Sequence, residues 1–158
     1  MRIDEEKNRP VTIFIDADAA PRDVLETART LAKRHGARVV TVSSINHQIH
    51  GEDHVQVDAH PQATDMMIIG RIQKEESTIV VTQDYGLAAI ALGKGAKALS
   101  PKGLEYTADN IDLLLYERAL HQHERRSSHR TRGPKARTTA DRKAFADRLE
   151  AILAFFAK

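Results

Sequence analysis

The sequence predicts an α/β domain in which a parallel sheet carries helices on both faces, and two observations support that prediction. Short runs rich in β-branched residues (TIFI, RVVTV, TIVV) are mostly apolar, without a strict polar alternation, as in strands buried on both faces. Between them lie stretches whose apolar residues recur at helical spacing, and such alternation of strand and helix builds a parallel sheet.

Taken in order, Val11 to Ile15 opens the sheet and stops at Asp16 and Asp18. Pro21 suits the opening turn of the first helix, where its missing N–H costs nothing. Val24, Leu25, Ala28, Leu31 and Ala32 make that helix's apolar stripe, and Gly36 its stop. Arg38 to Ser44 reads as the second strand, Ile45 to Asp53 as a polar loop, and His54 to Val57 as a short further strand. A second helix spans Gln62 to Lys74 through Met66, Ile68, Ile69 and Ile72, with Asp65 in its first turn. Thr78 to Thr82 is the next strand and runs into Gln83-Asp84-Tyr85-Gly86. The alanine-rich Leu87 to Leu92 forms a short helix closed by Gly93 and Gly95. Lys97 to Ser100 is the last expected strand, broken by Pro101 and Gly103. Asn110 to Glu124 is helical through Ile111, Leu114, Leu115, Arg118 and Ala119, with Thr107 or Asp109 as cap.

The segment Arg125 to Arg137 holds six Lys or Arg and no acid, so it cannot bury a core face and reads as a loop or flexible arm. Thr138 and Asp141 then form a capping box for a final helix. Its apolar side, Phe145, Leu149, Ile152, Leu153 and Phe156, docks on the body or on a second copy, which makes a homo-oligomer one expectation. The expected division is residues 1–124 as the α/β domain, with 125–158 as arm and helix packed on it.

At 158 residues the chain suffices for one well-cored domain. Its net charge of +2 is nearly neutral, so the location of the charge is more informative than its sum. No cysteine is present, which excludes disulfide and thiolate chemistry. No apolar run reaches the roughly 18 residues of a membrane span, and MRIDEEKNRP is unlike a secretory signal. A cytoplasmic protein without a membrane partner is the expectation.

Parallel strands open all their carboxyl ends on one rim, where ligands bind in such folds. Asp16, Asp18 and Asp84 each sit at or just past such an end, with Asp65 nearby on a helix. Asp16 and Asp18 lie on one side of an extended chain, about 7 Å apart at Cα. Paired like charges at the end of a buried strand need a cation or a proton. Hard ions such as Mg²⁺ and Mn²⁺ take carboxylate oxygens, activate water and offset charge on a phosphodiester. The structural alternative is that Asp18 caps the first helix, Asp65 favours a helix N-terminus, and Asp84 makes a turn with Gly86.

Arg130, Arg132 and Lys135 in the basic arm are the expected contacts to RNA phosphate, and the alternative is a solvated tail. Ser43 and Asn46 follow the second strand and are further phosphate candidates, against ordinary loop polarity. Aromatic residues are scarce and tryptophan is absent, so contact through phosphate is favoured over base readout. His47, His50 and His54 have ligand spacing but no frame for a tetrahedral site. Gly93-Lys94-Gly95 lacks the full glycine pattern of a phosphate loop and reads as a helix stop.

IDADAAPRD, the Ala63 to Asp65 triplet, VVTQDYGLAAIALGKGA, Pro101-Lys102-Gly103, RTRGPK and DRKAFADRLEAIL together resemble the YaiI/YqxD family of uncharacterised bacterial proteins, over about Val11 to Leu153. That family is similar to PIN-like nuclease domains, whose rim acids bind Mg²⁺ or Mn²⁺ and cleave RNA. The resemblance therefore implies a metal-dependent ribonuclease or related phosphodiesterase with metal at Asp16, Asp18, Asp65 and Asp84. Family members usually carry cysteine where this chain has Ala20, so a thiol is not part of the implied mechanism. Two other readings follow from the residues. IFIDADAA partly matches the DxD strand of aspartyl-nucleophile phosphatases, with Asp16 attacking, Asp18 as acid/base and Thr82 ending a later strand. A non-catalytic RNA-binding protein is the third.

Overall fold

The computed structural model describes residues 10–44, 53–60, 62–73, 76–128 and 136–157. Eleven elements follow in order: β1 (Thr12–Asp16), α1 (Arg22–His35), β2 (Arg38–Ser44), β3 (His54–Val57), α2 (Ala63–Arg71), β4 (Thr78–Val81), α3 (Tyr85–Gly93), β5 (Lys97–Leu99), β6 (Glu105–Tyr106), α4 (Ala108–Ser128) and α5 (Thr139–Phe156). They form an α/β fold around a six-stranded sheet of order β3-β2-β1-β4-β5-β6. Every pairing is parallel except β5 with β6.

Strand parity sorts the core into layers. Ile13 and Ile15 of β1 face α1 and α5, where they pack with Val24, Ala28, Phe145 and Leu149. Phe14 faces the other way, with Val80 of β4, Ile68 of α2 and Leu87 of α3. Asp16 shares the parity of Phe14, and Thr82 that of Val80, so both emerge on the α2/α3 side of the sheet's carboxyl rim. A third cluster, Ala88, Ala98, Tyr106 and Ile111, seats α4.

Most expected elements are present, with bounds that differ by a few residues. Gly36 ends α1 in the left-handed conformation at φ 68°, and Pro21 stands at the N-cap, one residue ahead of the first turn. Two expectations are corrected, and one alternative is decided. The sequence reading ends the sheet at Ser100, but β6 adds an antiparallel edge strand, too short for any periodicity to reveal. Arginine is a good helix former and a charge run alone does not stop a helix, so α4 continues to Ser128, into the segment read as a loop. Finally, of the two dockings expected for the last helix, on the body or on a second copy, the one observed is on the body: Phe145, Leu149, Ile152 and Leu153 pack against α1. At about 1.5–3 kcal/mol per buried side chain this packing far exceeds the tenths available from helix propensity.

The expected capping box is present, with Thr138 Oγ1 accepting from Asp141 N–H and the Asp141 carboxylate accepting from Thr138 N–H. One residue earlier, Arg137 is clamped. Its guanidinium donates to both carboxylate oxygens of Asp23 at 2.8 and 2.9 Å and to Pro101 O at 2.6 Å. The last cation of the expected arm is thus a tie between α1, the Pro101 turn and α5, a charge-assisted bidentate contact that is mostly buried.

Candidate functional site

Three carboxylates meet where the rim crosses the α2/α3 side. Asp16 ends β1, Asp65 lies in the first turn of α2, and Asp84 is the N-cap of α3. A single hydroxyl ties two of the segments together. Thr82 Oγ1 donates to Asp16 Oδ2 and accepts from Asp84 N–H, both at 3.0 Å. Behind it, buried Tyr106 donates its phenol proton to Thr82 O, and the Gln83 amide donates to Ala19 O. The loop of Asp84 is therefore anchored to β1 and β6 before any ligand arrives.

The electrostatics are those of crowded negative charge. Burial raises the Asp16 carboxyl above its ordinary value, Thr82 opposes the rise, and the charges of Asp18 and Asp84 add to it. Half-buried Asp65 is pushed up to about 7 by burial, by its hydrogen bond with Asp84, and by the charges of Asp84 and Asp16. A cation stands beside them: Arg118 of α4 places Nη1 3.5 Å from Asp84 Oδ1 and its guanidinium carbon 5.9 Å from the Tyr85 ring centroid. In sequence Arg118 shares the stripe of Ile111, Leu114 and Leu115, which turns it toward the body, but its spacing does not name Asp84 as the partner.

Asp18 has a different task. Its Oδ1 accepts from Ser44 N–H at 2.8 Å and its Oδ2 from the Thr64 hydroxyl at 3.0 Å, joining the end of β2 to the start of α2. It does not cap α1, whose N-cap makes no side-chain hydrogen bond. Asp84 does cap α3, accepting from Gly86 N–H at 2.8 Å and Leu87 N–H at 3.4 Å. That cap occupies Oδ1 with two backbone donors.

Ser43 is corrected as a phosphate contact, because it is fully buried with its hydroxyl 3.0 Å from His54 Nε2. The other His54 nitrogen is 2.6 Å from Thr41 Oγ1, which engages the ring within the sheet. Lys94 donates to Ile69 O at 2.8 Å and so serves the end of α2. Asn46, Arg130, Arg132, Lys135, His47 and His50 lie outside the described residues.

The donor set bears directly on whether Mg²⁺ or Mn²⁺ fits. Among the described residues no group of three His, Cys, Asp or Glu side chains is disposed to hold one ion. Mg²⁺, however, keeps most of its waters and commonly binds through only one or two carboxylates plus substrate phosphate. Asp84 with Asp16 or Asp65 meets that smaller requirement with hard oxygen donors, and the like charge there is what a cation relieves. Asp18, occupied at both oxygens, would have to surrender the brace to take part.

The model described as "Uncharacterized BCR, YaiI/YqxD family" matches residues 14–155. The chain belongs to the YaiI/YqxD family. A UPF0178 protein of Heliobacterium modesticaldum is 45% identical over 141 residues, covering 89% of this chain and 95% of the relative. A UPF0178 protein of Bacillus cereus is 40% identical over 148 residues, covering 90% and 98%. No solved structure matches significantly. In this YaiI/YqxD protein no helix among the described residues is long and apolar enough to cross a membrane.

Asp65 makes stability depend on pH in a definite direction. Its folded-state value lies above the unfolded one, so the folded protein holds a proton that the unfolded chain has released. The resulting stabilisation is complete below about pH 4 and is lost as pH rises through about 7. Asp65→Asn keeps a donor toward Asp84 and cannot ionise. After allowance for solvent screening it should stabilise the protein by about 1–2 kcal/mol near pH 8 and by much less near pH 5. Urea unfolding at the two pH values checks this, and an equal effect at both would refute it.

Proposed function

We propose that the rim acids form the centre of a Mg²⁺- or Mn²⁺-dependent phosphodiesterase acting on RNA. The supporting observation is the convergence of Asp16, Asp65 and Asp84 from three separate elements, close enough for the charge of Asp84 to disfavour ionisation of Asp16 and Asp65, and that of Asp16 to disfavour ionisation of Asp65. A divalent ion, when bound, supplies the Lewis acid that activates water and offsets charge on phosphate. Asp16 and Asp84 are the residues that would hold it. Asp65, with a carboxyl that titrates near neutrality, exchanges a proton with the attacking water. Arg118 neutralises Asp84 in the resting protein and turns to the phosphate once that charge is met otherwise. Asp18 and Thr82 are positioning residues. Arg130, Arg132 and Lys135 hold flanking phosphates in this reading, contacts that by themselves read no base.

The aspartyl-nucleophile alternative is less favoured, because it needs Asp18 as a mobile acid/base and Asp18 is engaged by Ser44 and Thr64. Incubation of end-labelled RNA with full-length protein tests the proposal. Cleavage should require Mn²⁺ or Mg²⁺, stop with chelator, and be absent from Asp84→Asn. RNA binding with no cleavage under any of these metals would leave a non-catalytic binder in place of an enzyme.

A further inference from the structure

The turn that bears Asp84 has neighbours with a second environment. Gln83 and Tyr85, one residue to either side of Asp84, line a cavity of about 370 Å³ whose remaining walls come from Pro21, the Ser100–Leu104 turn, Tyr106 and Arg137. Adjacent residues lie about 3.8 Å apart at Cα, so the cavity and the acid cluster are next to each other. The volume falls at the small end of the range for ligand sites, sufficient for one small ring system with substituents.

Its lining is specific in kind. Pro21, Pro101 and Leu104 supply apolar walls, and Leu104 is 44% exposed, a large apolar side chain that the core does not need. Tyr85 adds an aromatic ring already held edge-on by Tyr106, with centroids 5.8 Å apart. Gln83 is fixed through its amide nitrogen to Ala19 O, which orients its carboxamide plane. Among the described residues the charged lining comes from Lys102 and Arg137, with no carboxylate. Arg137 is compensated by Asp23, whereas exposed Lys102 has, among the described residues, the longer-range influence of Asp141.

An acyl chain has no use for Gln83 or Lys102, and a sugar would find too few polar groups among the prolines and Leu104. A planar heterocycle that stacks on apolar and aromatic walls, presents an edge to an amide and carries a phosphate matches all of these features. We propose that this cavity is a nucleobase subsite, with Gln83 reading the base edge and Lys102 meeting the attached phosphate. The inference deepens the hydrolase reading by adding a base-selecting pocket beside the cleaved phosphate. It rests on that reading only for the position of the cleaved bond.

Titration of the four nucleoside 5′-monophosphates and inorganic phosphate into isotopically labelled full-length protein, in metal-free buffer, tests it by amide NMR shifts. At least one monophosphate should shift Tyr85, Gly103 and Leu104. Leu104→Trp, which fills the cavity, and Lys102→Glu at an exposed position should each weaken that binding about tenfold. Gln83→Ala should change the order of preference among the bases, and Asp84→Asn should retain binding. Equal shifts with inorganic phosphate, shifts scattered elsewhere, or binding indifferent to both Leu104→Trp and Lys102→Glu would overturn the subsite. Because no turnover is read, an inactive wild type that binds a monophosphate here sinks only the hydrolase reading. Metal-dependent RNA cleavage without these shifts sinks only the subsite.

Discussion

Asp84→Asn and Asp16→Asn each lower metal-dependent RNA cleavage by about a hundredfold or more, while leaving the protein at least as stable as the wild type. The pairing of those two results is the informative part. Asparagine is as good an N-cap as aspartate, so at position 84 it still accepts from Gly86 and Leu87, and α3 keeps its start. At position 16 it still accepts from Thr82. What each substitution removes is one of the mutually repelling charges, which stabilises the fold and deprives the site of its anionic donors. A purely structural acid behaves in the opposite way, with lost stability as the principal effect. Cleavage rates alongside thermal melts separate the two cases, and a variant that melts earlier yet cuts normally would show that the acid serves the fold alone.

Gly103→Ala destabilises the protein by about 3 kcal/mol or more, for reasons unconnected with the rim. Gly103 has φ +88°, a region that L side chains rarely occupy, and an added Cβ would lie 2.5 Å from the carbonyl carbon of Ala144 and 2.7 Å from its Cβ and oxygen. The obstacle is backbone of α5, which cannot retreat without withdrawing Phe145 and Leu149 from the core they share with α1. Gly70→Ala is the natural control. It lies inside α2 with nothing within 4 Å of an added Cβ, so it should be stabilising by about 0.5–1 kcal/mol. Urea denaturation of both variants checks the contrast, and similar midpoints for the two would contradict it.

The elements with strong local signals were legible in the sequence. The bounds of β2 and β3, the Gly36 stop and the Thr138–Asp141 box each follow from a few adjacent residues. Convergence of Asp16 and Asp84 followed from topology, since parallel strands share a rim. What escaped was long-range pairing. Arg118 reaches Asp84 across 34 positions and Arg137 reaches Asp23 across 114, and no local pattern around either arginine announces its partner. Asp18 illustrates a subtler loss. Its place after β1 is evident, but its engagement with Ser44 and Thr64 depends on how β2 and α2 end, which a one-residue change in either would alter. Ser43 was misjudged because β2 is covered on both faces, so a polar side chain near its end turns inward to His54 instead of out to the rim.

Calorimetric titration of Mn²⁺ into the wild type and Asp84→Asn near neutral pH addresses the rim acids most directly. The wild type should bind the ion, with affinity falling as pH drops below the value at which Asp65 takes up its proton, and Asp84→Asn should lose the heat of binding. Absence of binding to the wild type, or identical isotherms for the two proteins, would contradict a cation site at Asp16 and Asp84.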